Sequence, residues 1–193
     1  MARPQEFVTA DALNKAMRVF WNKGYEATSL ADLMTATGLS KSSLYATFGD
    51  KREFFLAAYD VYRADRAREM EAILNAGPAR QAIETFFGKI IADASAVEFS
   101  NGCMSTNQAV EMAPHDPLVR HRVATDFQLI EDAFAQTIER GQGEGSVRSG
   151  TDARMLARLF VVVFPGLQVM VRAGAPQSRL KVALELLLSN LDE

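Results

Sequence analysis

The sequence predicts an all-α protein in which three short N-terminal helices precede six longer ones. Apolar residues recur at helical spacing in nearly every segment, and alternating β-branched runs are rare. Gly24, Gly38 and the segment 75–78 interrupt this spacing, as residues that end helices do. The chain has 193 residues, of which 48 % are hydrophobic and 23 % charged, so it can bury a substantial core and remain soluble.

Three short helices are predicted within the first fifty residues. The first begins near Thr9 or Asp11 and has one apolar face, formed by Leu13, Ala16, Met17, Phe20 and Trp21. Thr28 or Ser29 caps the second, since Ser29 and Asp32 have the spacing of a capping box. The third helix covers residues 40–47 and follows Gly38 directly, so a tight turn joins it to the second.

The remaining residues predict a larger helical body. Asp50 caps a long fourth helix, and the natural boundary falls there, between a domain of residues 1–50 and one of residues 51–193. The other helices are predicted at about residues 79–97, 103–113, 118–140, 152–172 and 177–191.

Composition excludes several classes of protein. One cysteine, Cys103, cannot form an internal disulfide, and with only two histidines a zinc site is improbable, so we expect no metal or other cofactor. The most apolar stretch contains Arg158 and Gln168 and is broken at Pro165, so no run reaches the roughly 18 apolar residues of a membrane span. The N-terminus lacks the pattern of a signal peptide, which predicts a cytoplasmic protein without membrane contact.

Charge is distributed unevenly along the chain. The net charge is −3, but residues 1–52 hold seven Lys/Arg and five Asp/Glu, whereas residues 53–193 hold fourteen and nineteen. The N-terminal end is therefore mildly basic and the rest acidic. A polyanionic partner would be bound at the N-terminal end.

The stretch "TGLSKSSLYATFGDK", residues 37–51, has the pattern of a helix-turn-helix. Leu44 and Phe48 lie four residues apart and are expected to be buried, which turns the polar residues of the third helix outward. The predicted DNA contacts are Thr28, Ser29, Ser40, Lys41, Ser42, Ser43, Tyr45, Thr47 and Lys51. Taken alone, the same stretch also fits a solvated and well-capped helix start.

A wider match resolves this ambiguity. The segment "ALNKAMRVFWNKGYEATSLADLMTATGLSKSSLYATFGDKREFF" resembles the DNA-binding domain of the TetR family of bacterial transcriptional regulators. The resemblance implies a three-helix DNA-binding head and a six-helix body that binds a small-molecule effector and forms a homodimer. It further implies a repressor acting on a near-palindromic double-stranded operator, with the two recognition helices roughly 34 Å apart.

Two further features of the body are interpreted with this resemblance. The last two helices are too apolar to face solvent on more than a narrow side. Either one alone would fit a core helix buried on all sides, but two in succession are expected to form the dimer interface, where Leu187 is a candidate contact. The effector cavity is expected to measure a few hundred cubic ångström. Its predicted lining is Phe86, Phe87, Ile90, Cys103, Asn107, Phe127, Ile130, Phe134 and Phe164, with Met170 as a further candidate.

The sequence leaves two questions open: whether the effector is a reversible ligand or a thiol-reactive compound, and whether the protein is a regulator at all. Cys103 follows Gly102 at a predicted helix start, where a thiol can sense oxidants or electrophiles, although a lone cysteine is more often simply buried. The chain carries no P-loop, HExxH, GxSxG or dinucleotide fingerprint, which argues against an enzyme. A helical protein-interaction module would explain the apolar last helices but not the first fifty residues.

Overall fold

A computed structural model describes residues 3–93 and 101–192, and this part of the chain is entirely helical. Within it, the all-α prediction is confirmed. The helices are α1 (Arg3–Lys23), α2 (Leu30–Thr37), α3 (Lys41–Phe48), α4 (Lys51–Leu74), α5 (Ala79–Asp93), α6 (Met104–Glu111), α7 (Pro117–Glu144), α8 (Ala153–Arg172) and α9 (Gln177–Leu188), and a 3-10 turn, Ser189–Leu191, follows α9.

Several helix ends differ from the sequence prediction. Helix α1 begins at Arg3, so Thr9 and Asp11 lie inside it and do not cap it. Helix α7 continues past residue 140 to Glu144, and in this extension Gly141 lies against the side chain of Val147, which a Cβ at that position would meet at 2.5 Å. The predicted end of α5, at residue 97, lies outside the described residues.

The head consists of α1, α2 and α3, and its core is aromatic. Phe20 is fully buried and makes edge-to-face contacts with Phe54 and Phe55 of α4, with ring centroids 6.3 Å and 5.2 Å apart. Leu33 of α2 and Leu44 of α3 are buried in the same cluster. The first turns of α4 are therefore part of the packing of the head.

A second core holds the body together. Helices α5, α7, α8 and α9 contribute to it, with Phe87, Phe134 and Phe160 fully buried at its centre. The Phe87 and Phe134 rings stack with centroids 5.4 Å apart, and Phe160 meets both rings edge-on. Because α4 reaches from the head cluster to this second core, one helix connects the two.

Helices α8 and α9 leave an apolar face exposed. Met155, Leu159, Val162 and Val169 form one stripe along α8, and Val182 and Leu186 are exposed on α9. By length and composition α8 would also qualify as a membrane span, with a mean hydropathy of 1.6. Leu187 is only 6 % exposed and packs into the protomer's own core, so its expected place in a dimer interface is wrong. The exposed apolar surface is formed instead by Val182 and Leu186 of α9 together with the stripe on α8.

Candidate nucleic-acid interface and ligand cavity

Local hydrogen bonds fix the start of α2. Ser29 caps this helix and its Oγ accepts a hydrogen bond from the Asp32 backbone N–H at 3.1 Å, while the Asp32 carboxylate accepts one from the Ser29 backbone N–H at 2.9 Å. Hydrogen bonds from Lys23 and from Ser29 lower the pKa of Asp32 to about 2. The carboxylate is therefore ionised at neutral pH, and Ser29 remains exposed at the helix start.

Thr28 does not belong to the exposed surface. Its side chain is 1 % exposed, and its Oγ1 donates a hydrogen bond to the Gly24 carbonyl at 2.6 Å. The hydroxyl thus closes the turn after α1, so the prediction that Thr28 contacts DNA is corrected. Of the two residues predicted to contact DNA at the start of α2, only Ser29 is exposed.

The turn between α2 and α3 has the geometry that its sequence demands. Gly38 adopts a left-handed conformation, with φ at +73°, and its N–H caps α2 through the Met34 carbonyl at 2.9 Å. Ser40 then caps α3, and its Oγ accepts from the Ser43 backbone N–H at 3.2 Å. The turn between the end of α2 and the start of α3 is therefore three residues long.

Small hydroxyls and a lysine cover the outer face of α3. The Ser40 Oγ lies 3.0 Å from that of Ser42 and 2.9 Å from that of Ser43. Leu44 is buried, whereas the residues on the other side of the helix are exposed, namely Lys41, Ser42, Ser43, Tyr45 and Thr47. The Lys41 ammonium lies 5.9 Å from the centre of the Tyr45 ring, and Tyr45 is 47 % exposed. This face offers donors, acceptors and one aromatic ring to a partner.

Lys51 stands beside this face at the first position of α4. Its Nζ lies 4.4 Å from the centre of the Tyr25 ring and donates to the Glu26 carbonyl at 3.4 Å. These contacts hold the ammonium over the junction between α1 and α2. A cation is therefore positioned next to the exposed start of α2.

A cavity of about 130 Å³ lies in the body between α4, α5, α6, α7 and α8. Five of the predicted residues lie on its wall: Phe86, Ile90, Cys103, Ile130 and Phe164. The cavity is smaller than the few hundred cubic ångström that the sequence suggested. It opens to solvent on one side, so a small molecule can enter it.

Four of the predicted cavity residues lie elsewhere, and Met170 packs against the body core. Phe87 and Phe134 are fully buried in that core, where each fills space against the other, so these predictions are wrong. Phe127 packs between the two hydrophobic clusters, and Asn107 donates from its side chain to the Asn101 carbonyl at 3.0 Å. Both are therefore occupied with structural contacts.

A hydrogen-bonded carboxylate forms the polar end of the cavity wall. Asp126 accepts hydrogen bonds from Arg63 Nε at 2.7 Å, Ser105 Oγ at 2.7 Å and the Tyr59 hydroxyl at 3.2 Å. Burial raises the pKa of Tyr59, so its hydroxyl is protonated and donates. Burial likewise raises the pKa of Tyr62, whose hydroxyl accepts from the Met104 backbone N–H at 3.1 Å. These bonds fasten the start of α6 to α4 and α7.

The segment that begins α6 also contacts the head. Trp21 of α1 donates from its indole Nε1 to the Gly102 carbonyl at 2.9 Å, and both Trp21 and Gly102 line the cavity. Gly102 has φ at +67°, and a Cβ there would meet the Gln168 carbonyl of α8 at 2.8 Å. At the other end of α6, Glu111 accepts from the Glu26 backbone N–H at 2.9 Å. The segment that contains α6 is thus bonded to the head near both of its ends, and the bond at Gly102 lies on the cavity wall.

Comparisons with known proteins agree with this arrangement. A profile of bacterial regulatory proteins of the tetR family matches residues 12–58, and a profile of the tetracyclin repressor-like C-terminal domain matches residues 79–187. The HTH-type transcriptional regulator YezE of Bacillus subtilis, whose own function is uncharacterised, is 34 % identical over 194 residues, which is 100 % of each chain. The chain belongs to the TetR family.

Other relatives extend the comparison. The transcriptional repressor ComR of Escherichia coli is 29 % identical over 180 residues, covering 92 % of this chain and 86 % of ComR. Among solved structures, a cysteine mutant of the TetR-family regulator CifR in complex with a 26-bp operator is 30 % identical, with a TM-score of 0.84 and coverage of 94 % and 95 %. The expectation of a DNA-binding regulator, as opposed to an enzyme, is confirmed by this membership.

Sequence reasoning missed the charged residues of the cavity in this TetR-family body. Arg63, Arg66, Glu69, Lys89 and Asp126 all line it. One signal was present, because Asp126 lies three residues after Val123 and four before Ile130, on the otherwise apolar stripe of α7. A carboxylate on such a stripe requires a buried donor.

Proposed function

We propose that this TetR-type regulator is a repressor that binds an operator as a homodimer and is released by a small apolar or electrophilic effector. Residues 1–50 form the DNA-binding domain, and residues 51–193 bind the effector and form the dimer. The operator is double-stranded and near-palindromic. The protein acts in the cytoplasm.

The exposed face of α3 supports the DNA-binding role. Lys41, Ser42, Ser43, Tyr45 and Thr47 stand on one side of a helix that begins with a hydroxyl cap, and such residues reach both base edges and phosphates. Ser29, Ser40 and Lys51 flank this face and serve as phosphate contacts, since helix N-termini and cations attract anions.

An in vitro selection from random duplex DNA tests this role and yields an operator. Lys51→Ala weakens binding to all duplexes by a similar factor and lowers the salt slope by about 1. Tyr45→Ala changes the preference among duplexes as well as the affinity. Arg148→Ala, which removes an exposed cation from a body loop, is the control and leaves binding unchanged. If both head variants bound like wild type, the assignment of the DNA-binding face would be wrong.

The apolar face of α8 and α9 supports the homodimer. Val162 is 73 % exposed and Leu186 is 68 % exposed, and both continue stripes along their helices. A helical face of this kind is covered in a soluble protein, and a two-fold axis joins the same face of two copies. Two heads per dimer give the number of contacts that a specific operator requires.

A charge on this face tests the dimer. Val162→Glu buries an unpaired carboxylate if the face is covered, which costs several kcal/mol, so the variant sediments as a monomer and loses operator binding. Val110→Glu changes an equally exposed valine on α6 and leaves the dimer intact. A Val162→Glu protein that remained a tight dimer would place the interface elsewhere.

One observation carries the effector role: α4 runs without interruption from the DNA-binding face to the cavity. Lys51 is at its start, and Tyr62, Arg63, Arg66 and Met70 line the cavity further along it. An effector that fits one orientation of α4 better than another shifts the population of head positions, whereas equal affinity for both would shift nothing. Release of a fluorescent operator by a cavity-binding compound, followed by anisotropy, is the measurement.

The electrophile version of this function depends on Cys103. Its thiol is buried, with 7 % exposure, and it lines the cavity beside Tyr62, so a reagent reaches it only by entering there. Modification would add bulk inside the body. Cys103→Ser then retains operator binding but no longer responds to quinones or alkylating agents. If the variant is released as readily as wild type, the effector is a reversible ligand.

A further inference from the structure

The cavity has a charged outer end and an apolar inner end. Arg66, Lys89 and Glu69 line it and keep between 33 % and 41 % of their side chains exposed. Phe164 and Val171 on its wall are only 5 % and 4 % exposed. Exposure therefore falls from the charged side chains at the opening to these apolar ones, while the two more buried charged groups on the wall, Arg63 and Asp126, pair with each other. A ligand that matches this gradient is amphipathic.

The charges on the wall favour an anion over a cation. Three cations and two carboxylates line the cavity, a balance of +1. Asp126 already accepts three hydrogen bonds, and Glu69 pairs with Arg66 at 2.6 Å and with Lys89 at 3.4 Å. A cationic ligand would therefore have to displace one of these partners. An anion needs only an available donor.

One donor without a partner belongs to a residue of the same wall. The Nε of Arg66 is buried and has no hydrogen-bond partner in the described part of the chain. Such a group costs free energy unless a ligand or water satisfies it. The guanidinium is held in place, since it lies 5.8 Å from the centre of the Tyr62 ring and pairs with Glu69 through a terminal nitrogen. The Arg66 guanidinium therefore has an unsatisfied N–H in addition to the nitrogen that holds its ion pair.

The volume limits the size of the ligand. A single water requires roughly 10–15 Å³ by the same measure, so the cavity of about 130 Å³ accommodates roughly ten non-hydrogen atoms. Three apolar side chains on its wall, Phe86, Ile130 and Phe164, come from three different helices. An unbranched or aromatic chain of that size fills the space.

We propose that the effector is a small amphipathic carboxylic acid whose carboxylate binds Arg66 and whose hydrocarbon tail lies between Phe86, Ile130 and Phe164. This inference rests on the proposed effector role of the cavity and specifies the chemistry of the ligand. The carboxylate accepts the hydrogen bond that Arg66 Nε lacks. The tail meanwhile covers apolar wall that water would otherwise contact.

Octanoate and 1-octanol are matched probes, since they share a chain length and differ in the charged group. Trp21 is the single tryptophan of the chain and lines the cavity, so its fluorescence reports occupancy without DNA. We expect octanoate to bind wild type at least about tenfold more tightly than octanol, as a hydrogen bond to a charged group would give. Equal binding, tighter binding of octanol, or binding of neither compound would overturn the inference.

Two arginine variants identify the group that binds the carboxylate. Arg66→Met retains the length of the side chain and removes the charge, so it loses the preference for octanoate and leaves octanol binding unchanged. Arg68→Met removes an arginine two positions along α4 whose side chain is 71 % exposed and pairs with Asp65, and it retains the preference. A preference that survives in a folded Arg66→Met protein would overturn the role of Arg66, and thermal unfolding verifies the fold.

Operator release is measured separately, so the two proposals can fail independently. If octanoate binds with the preference that depends on Arg66 but leaves the operator bound, the chemistry of the cavity stands and its role in release fails. If octanol binds as tightly as octanoate and releases the operator, the role in release stands and the inference about the acid fails.

Discussion

The two halves of α4 are packed very differently. In the first half, three aromatic side chains pack into the core cluster of the head and are between 0 % and 2 % exposed, namely Phe54, Phe55 and Tyr59. In the second half, Arg63 and Arg66 are only partly buried and line an open cavity. One face of this helix is therefore densely packed at one end and meets free space at the other.

This difference indicates how the helix can transmit a signal. Dense packing has few alternative arrangements, so the first half must move together with the head as one body. Free space beside the second half permits a side chain or ligand to move it without breaking a packed core. The hydrogen bond from Trp21 to the Gly102 carbonyl lies near the middle of α4, where Trp21 packs against Tyr62. On the proposed mechanism, a shift at the cavity would change the angle of the head while its internal structure is preserved.

The largest expected effect comes from removing an aromatic ring from the first half. Phe55 contacts Phe20, Tyr25 and Tyr59, with ring centroids between 5.1 Å and 5.8 Å apart, and is fully buried. Phe55→Ala is expected to lower the free energy of unfolding by about 3–5 kcal/mol, measured by urea titration.

Removing a phenylalanine ring at the cavity should lower the free energy of unfolding by less. Phe86 is only partly buried and faces existing free space, so Phe86→Ala is expected to cost about 1–2 kcal/mol. Equal losses for Phe55→Ala and Phe86→Ala would contradict the contrast between the two halves of α4.

An intermediate effect is expected at the boundary between the halves. Trp21→Phe retains a ring but removes the hydrogen bond to the buried Gly102 carbonyl, which should lower the free energy of unfolding by about 1–2 kcal/mol. Chemical denaturation followed by circular dichroism measures this, because the variant lacks the only tryptophan. A loss near zero would mean that this contact does not join the head to the cavity wall.

The smallest effect concerns the start of α4 and depends on pH. The hydrogen bond from Arg52 to Asp116, together with the backbone N–H groups of α7, lowers the pKa of Asp116. The folded state thus gains stability above the unfolded pKa of about 3.9 and loses it as the pH falls through the lower folded value.

Replacing Asp116 tests this dependence. Asp116→Asn is expected to lower the free energy of unfolding by about 1 kcal/mol at pH 7, a difference that shrinks below about pH 4. Urea titrations of both proteins at several pH values measure it. A difference that stayed constant down to pH 2 would assign the effect to lost packing and not to charge.

The sequence was most informative where structure depends on neighbours in the chain. Ser29 and Asp32 are three residues apart, and the capping box that their spacing predicts is present. Gly38 and Ser40 likewise mark the turn and the start of α3 because backbone conformation and capping act over a few residues. Thr28 was misplaced because a single hydroxyl beside a cap fits either side of the turn.

The cavity could be predicted only in part, because its walls come from six helices. Periodicity identified the apolar faces of α5 and α7, but it does not reveal whether such a face meets another side chain or free space. Phe86 and Phe87 are adjacent in sequence, yet one lines the cavity and the other stacks on Phe134 in the core. The charged wall residues of α4 were missed because exposed arginines are common on long helices.

Filling the cavity is expected to weaken operator binding, and a substitution on α4 tests this most directly. Ala67 lines the cavity, so Ala67→Phe places a ring inside it, whereas Ala64→Phe adds the same ring to an exposed position on the same helix. Operator affinity is measured by anisotropy on folded dimers. We expect Ala67→Phe to bind at least about tenfold more weakly than wild type, with Ala64→Phe unchanged. An Ala67→Phe dimer of normal stability that bound the operator as tightly as wild type would contradict the claim.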